Sequence, residues 1–185
     1  MLDGNTHRYE IIIDRYKKPI LNFIHKMIQD YDEAQNLTQD VFLKIFETIH
    51  RYRGEDNFRA FVFTVAKNLS LNYIKKASRV VTMSQFDKDD AENRFFRYDS
   101  TQQLEMESDI REEQILAGLK DLKENYRLAL ILKVYLDFSY KQIAGVTGWS
   151  IPKIETLISR AKTQLREFIN VQENGRRDVS IVRKP

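Results

Sequence analysis

Cysteine is absent from the 185 residues, which removes disulfides and thiolate metal sites and fits a protein that works in a reducing cytoplasm. Histidine is scarce: His7, His25 and His50 stand far apart with no Asp or Glu at ligand spacing around them, so no metal is expected. No apolar run approaches the roughly 18 residues of a membrane span, and no cationic start followed by an apolar stretch marks a signal peptide, so no membrane insertion is expected. No segment alternates apolar and polar residues as a half-buried strand does. These absences leave an all-α chain, long enough for one ordinary domain or two small ones.

What is present is charge, unevenly spread. Residues 1–79 hold 13 Lys and Arg against 10 Asp and Glu, residues 80–109 hold 3 against 8, and residues 110–185 hold 14 against 9. Two basic ends around an acidic middle suit contact with a polyanion at both ends. Residues 77–107 also lack helical periodicity and are rich in Ser, Asp, Gln and Asn, which predicts a flexible acidic linker.

Helical periodicity fills the rest. Tyr9, Ile12, Ile13, Tyr16, Ile20, Phe23, Ile24 and Met27 recur at helical spacing, with Pro19 as an expected kink. A break and cap at residues 30–32 leads into a second helix, whose buried side is expected to be Ala34, Leu37, Val41, Phe42, Ile45, Phe46 and Ile49. After a loop at residues 51–57, Asp56 or Asn57 can cap a third helix ending near Lys76, with Phe58, Phe61, Val62, Val65, Ala66, Leu69 and Tyr73 as its apolar stripe. Over that loop and helix, rings and cations interleave: Tyr52, Phe58, Phe61 and Phe63 among Arg51, Arg53, Arg59, Lys67, Lys75, Lys76 and Arg79. Rings can stack on unpaired bases while cations follow the backbone. Phe63 and Tyr52 fit the buried stripe less well than Phe58 and Phe61.

Beyond the linker, residues 110–122 and 125–136 read as two helices, with Leu116, Leu119, Leu122, Leu128, Ile131, Leu132 and Tyr135 facing inward. Residues 139–169 carry the strongest local device. Ser139 and Gln142 open a capping box, Gly148 supplies a turn, and Ser150 caps a second helix that tolerates Pro152 in its first turn. Along that helix Ile151, Ile154, Leu157, Ile158, Ala161, Leu165 and Phe168 form a buried stripe. Lys153, Thr156, Ser159, Arg160, Lys162, Thr163 and Arg166 lie opposite, with Glu155 as a discordant acid. A short helix, a glycine turn and a longer helix with a basic outer face match a helix-turn-helix that reads the DNA major groove. Residues past 169 are expected to be a basic, mobile tail.

In this order the parts resemble the bacterial RNA polymerase sigma factors of the extracytoplasmic-function (ECF) type. DEAQNLTQDVFLKIFETI (residues 32–49) resembles the family's polymerase-binding helix, and YRGEDNFRAFVFTVAKNLSLNYIKK (residues 52–76) its promoter-melting and minus-ten segment. LKENYRLALILKVYLDFSYKQIAGVTGWSIPKIETLISRAKTQLREF (residues 122–168) resembles its minus-thirty-five domain. The resemblance implies domains at 1–79 and 109–170, a linker at 80–108 and a tail at 171–185. It implies no enzymatic activity and no cofactor, and as partners core RNA polymerase, promoter DNA and an anti-sigma factor. By the same resemblance Asn36, Leu37, Gln39, Asp40 and Lys44 dock on polymerase. Asp56, Asn57, Phe61, Phe63, Lys67, Asn68 and Asn72 meet the opened minus-ten element, and Ser150, Lys153, Glu155, Thr156, Ser159 and Arg160 meet the minus-thirty-five duplex.

The chain also departs from the family. Gln35 and Asn36 stand where acids are usual, Phe61 where Trp is usual, and Lys123 where Pro is usual. Pro152, Glu155 and Leu157 replace small, basic and Arg positions of the recognition helix, and Glu155 prefers a cytosine amino group, which changes the promoter expected. A stand-alone helix-turn-helix regulator remains the alternative, distinguished by a palindromic site. A nuclease built on Asp87, Asp89, Asp90 and Glu92 is disfavoured, because these acids fall in an aperiodic stretch that cannot hold them rigid.

Overall fold

The computed structural model describes the backbone of residues 3–52, 58–84 and 106–182, and side chains within 9–79 and 113–172. It contains seven α-helices and no strand among the described residues. The chain divides into two units, Met1–Thr101 and Gln102–Pro185. No helix among the described residues is long and apolar enough to cross a membrane.

The first unit packs three helices, each against the other two: α1 (Asp3–Ile28), α2 (Tyr31–Thr48) and α3 (Phe58–Ser84). In α1, Tyr16, Ile20, Phe23, Ile24 and Met27 are buried at three- and four-residue steps, and the helix continues through Pro19. A two-residue break follows. Gln29 takes a left-handed conformation (φ 58°), and the Asp30 carboxylate accepts from the Glu33 amide at 3.0 Å, capping α2. Helix α2 buries Ala34, Thr38, Val41 and Ile45, and the Thr38 hydroxyl donates to the Ala34 carbonyl at 2.6 Å, so this buried polar group is satisfied. On α3, Val62, Phe63, Ala66 and Ser70 are inside, with the Ser70 hydroxyl donating to the Ala66 carbonyl at 2.9 Å.

Two expectations for these helices fail. Phe46 is 58% exposed and rests on Tyr9, with ring centroids 4.3 Å apart. It follows Ile45, the last residue of α2 that reaches the core, so it falls one position outside the buried stripe. Phe63 errs in the other direction: its exposure is 0%, and its ring meets Phe23 edge-on at 5.5 Å. A helix wedged between two others buries a wider arc than one stripe, and Phe63 lies inside that arc.

The second unit contains α4 (Met106–Asp121), α5 (Glu124–Leu130), α6 (Tyr140–Thr147) and α7 (Ile151–Val182). Five consecutive residues, Leu128 to Leu132, are buried, which places α5 at the centre of the unit. A π-helical turn, Ile131–Tyr135, follows it, closed by the Leu136 amide on the Ile131 carbonyl at 3.2 Å. The wider turn shifts the helical phase and carries Tyr135, expected inside, outward to 41% exposure. At the α4–α5 junction the Arg127 guanidinium donates to the carbonyls of Lys120 (2.7 Å) and Leu122 (3.1 Å), closing the end of α4. Gly118 lets α4 and α7 approach closely, because a Cβ there would collide with Leu165 Cδ1 and lie 3.1 Å from Phe168 Cδ1.

Element ends also differ from expectation. Helix α3 runs on to Ser84 rather than stopping near Lys76, and α4 starts at Met106. Helix α7 continues to Val182 through the stretch expected to be a mobile tail. Neither extension contains a proline, so nothing prevents propagation of a helix already nucleated by the packed part. The middle of the expected linker, residues 85–105, lies outside the described residues.

Candidate polymerase and nucleic-acid interface

The helix-turn-helix forms as its sequence directs. The Ser139 hydroxyl accepts from the Gln142 amide at 3.2 Å while the Gln142 side chain accepts from the Ser139 amide at 2.8 Å, a reciprocal capping box. Helix α6 ends at Gly148 in the left-handed conformation (φ 73°), with its amide on the Ala144 carbonyl at 2.7 Å. Ser150 directly precedes α7. Ile143 and Val146 of α6 and Ile154, Ile158 and Ala161 of α7 are buried, which fixes which side of α7 faces out. Ser150, Lys153, Glu155, Thr156, Ser159 and Arg160 are all exposed on that outer side, whereas Ile151, expected in the stripe, is exposed too. Lys153 Nζ lies 5.1 Å from the centroid of the Trp149 ring, which holds the ammonium at the start of the helix. The Thr156 hydroxyl donates to the Pro152 carbonyl at 2.9 Å, so it offers a base only an acceptor and a methyl group.

On α3, Asn68 and Asn72 are exposed one turn apart, and Phe61 and Lys67 are half-buried. Partial burial pushes the Lys67 ammonium below its ordinary pKa. Asp56 and Asn57 lie outside the described residues. Phe63, expected to stack on a base, has no exposed face. Phe61, of the expected set, instead clusters with two rings outside it: Tyr52, Phe58 and Phe61 are half-buried, with centroids 5.3, 5.4 and 5.9 Å apart in their three pairs. The interleaved rings and cations of residues 51–79 contained that signal, but periodicity alone did not separate a half-exposed cluster from a core.

On α2, Asn36, Gln39, Asp40 and Lys44 are exposed and Leu37 is half-buried. Lys44 pairs with Glu47 at 2.9 Å, an exposed contact of little energetic consequence. This polar stripe borders an apolar groove of about 620 Å³ between α1 and α2, whose lining includes Ile12, Leu21, Gln39, Phe42 and Leu43. Leu43 is 64% exposed and Phe46 stands beside it, so the polar residues are flanked by apolar surface of the kind that marks a protein interface. Among the described residues no three His, Asp or Glu side chains gather as a metal site.

Comparison with known proteins bears on both units. The Sigma-70 region 2 family matches residues 12–80 and the Sigma-70, region 4 family matches residues 112–165, together more than half of the chain. The chain belongs to the ECF-type RNA polymerase sigma factors. RNA polymerase sigma factor YlaC of Bacillus subtilis (strain 168) is 25% identical over 158 residues, 85% of this chain and 90% of that one. ECF RNA polymerase sigma factor SigM of the same organism is 27% identical over 160 residues, 86% of this chain and 93% of that one. The sigma factor RpoE from Bartonella quintana, solved in complex with the anti-sigma factor NepR, has a similar fold, with a TM-score of 0.70 and 22% identity over 89% of this chain and 98% of that one. CnrH, solved in complex with the cytosolic domain of CnrY, gives a TM-score of 0.68 and 17% identity over 91% of each chain.

As an ECF sigma factor the chain is a transcription initiation factor and not an enzyme: it binds core RNA polymerase and directs promoter recognition and opening. The stand-alone regulator is set aside, since its first unit would have no reason to match region 2.

Proposed function

We propose that this ECF factor divides its work among three surfaces. The α2 face of Asn36, Leu37, Gln39, Asp40 and Lys44 docks on core polymerase. The start and outer side of α3, with Asp56, Asn57, Phe61, Lys67, Asn68 and Asn72, meets the opened minus-ten strand. Ser150, just before α7, and Lys153, Glu155, Thr156, Ser159 and Arg160 on it read or position the minus-thirty-five duplex. The observation that carries this reading is the orientation of α7: Ile154, Ile158 and Ala161 bury one side, and the residues proposed to touch DNA occupy the other.

The division has a physical reason. Extruding a base from a duplex costs a few kcal/mol, which ring stacking and backbone cations offset only once the protein is anchored elsewhere. Joining the units in one chain raises the effective concentration of the second contact after the first has formed. We assign residues 1–79 and 109–170 to the two tasks, residues 80–108 to the link and 171–185 to a basic end. The factor acts in the cytoplasm, where core polymerase works. The complexes of RpoE with NepR and of CnrH with CnrY support an anti-sigma partner for this chain as well.

Charge reversal at Asp40 tests the docking surface. Asp40 is exposed on α2, and exposed substitutions usually move stability by less than about 0.5 kcal/mol, so Asp40→Lys should leave thermal unfolding nearly unchanged. Co-purification with core polymerase should fall. A variant that co-purifies at wild-type yield shows that the docking face lies elsewhere.

A further inference from the structure

Between α1 and α3 lies a second cleft, of about 250 Å³, lined by Arg15, Tyr16, Pro19, Arg59 and Phe63. It belongs to none of the three surfaces above. Its floor is apolar and firm: Phe63 is fully buried, Tyr16 nearly so. Two guanidinium-bearing side chains from different helices line it, and no carboxylate is among its described lining residues. Arg15 Cζ lies 5.8 Å from the centroid of the Tyr16 ring, which holds that side chain along the wall. Arg59 stands in the first turn of α3, a turn without an acidic residue.

The cleft is also joined to the ring cluster. The Tyr16 ring meets Phe58 at 5.8 Å, and Phe58 meets Tyr52 and Phe61 at 5.3 and 5.9 Å. An anion site with an apolar floor, next to half-exposed rings, has the chemistry of one nucleotide step: a base on the rings and its phosphate on the arginines. Guanidinium suits this use because its fork grips two phosphate oxygens at once. We infer that Arg15 and Arg59 form a phosphate-binding cleft that holds one phosphodiester of the unpaired minus-ten strand, beside the base engaged by Tyr52, Phe58 and Phe61. The inference rests on the proposal that α3 meets the opened strand.

The test is equilibrium binding of the holoenzyme, full chain with core polymerase, to a forked promoter fragment carrying an unpaired minus-ten strand, over a range of salt concentrations. A single-strand phosphate contact contributes about 0.7 to the slope of log K against log salt, so the Arg15→Gln, Arg59→Gln double variant should show a slope shallower by about that amount. Replacing single phosphodiesters of the unpaired strand by uncharged methylphosphonates should find one position that lowers the wild-type slope equally and leaves the double variant unchanged. Because Arg59 is half-buried, the exposed Arg15→Gln is measured alone too, and its slope should shift in the same direction. A wild type that prefers the fork beside a double variant of full slope overturns the cleft alone. An equal fall on a duplex minus-thirty-five fragment overturns it as well, because the arginines would then be a general basic patch. A wild-type holoenzyme indifferent to unpairing overturns the assignment of α3 together with the cleft.

Discussion

Phe63→Ala should unfold the first unit rather than weaken promoter melting. The side chain has no exposed surface and packs edge-on against Phe23, and truncating a buried Phe typically costs about 3–5 kcal/mol. That loss is comparable with much of the stability of a small domain, ordinarily about 5–15 kcal/mol. Thermal unfolding of the full chain should lose or sharply lower the transition of this unit, and polymerase binding should fall with it, since α2 belongs to the same core. Phe61→Ala is the control two residues away. Phe61 is half-buried in the Tyr52–Phe58 cluster, so the variant should remain folded and bind polymerase while opening promoters less well. A Phe63→Ala protein of near-normal thermal stability with a selective melting defect would show that the ring reaches DNA.

The second large effect is a difference in kind between α3 and α7. Arg160→Ala or Glu155→Ala removes a side chain from the exposed side of the recognition helix, so initial promoter binding should drop or change its sequence preference, a correct base contact being worth about 1–3 kcal/mol. Opening, once the complex has formed, should be spared. Asn68→Ala alters the segment proposed to meet unpaired bases, so a template with a pre-opened minus-ten bubble should restore most of its activity and do little for Arg160→Ala. Permanganate footprinting of unpaired thymines on the two templates reads this directly. Equal rescue of both variants, or of neither, contradicts the division of labour.

How much of this was legible in the sequence depended on how local the determining physics is. The capping box at Ser139 and Gln142, the glycine at 148 and the phase of Ile154, Ile158 and Ala161 are set by residues within a turn or two of one another, and each forms as read. The exposed face of α2 was legible for the same reason, because Ala34, Val41 and Ile45 alone fix its orientation. The burial of Phe63 is not legible in the same way, because it depends on a second neighbouring helix, which a single apolar stripe on α3 cannot contain. The exposure of Tyr135 is hidden as well, because one π-helical turn shifts the phase, and nothing in the run of residues 128–136 announces that turn. The ends of α3 and α7 are not legible in this way, because their last turns carry no apolar periodicity, although no proline stops either helix before its observed end. The ring cluster of Tyr52, Phe58 and Phe61 and the two-arginine cleft join residues of different elements, and such pairings are invisible to periodicity.

On the division of labour proposed above, promoter specificity belongs to the complex with polymerase and not to the chain by itself. The outer side of α7 offers few cations, and Glu155 and Glu167 oppose them, so the isolated protein has few phosphate contacts with which to hold a duplex. The most direct test is footprinting of one promoter fragment at physiological salt with the protein alone, core polymerase alone and both together. Protection of two dissimilar elements at fixed spacing should require both components. Nanomolar, sequence-specific protection of a palindromic site by the protein alone would instead show a chain that reads DNA without polymerase.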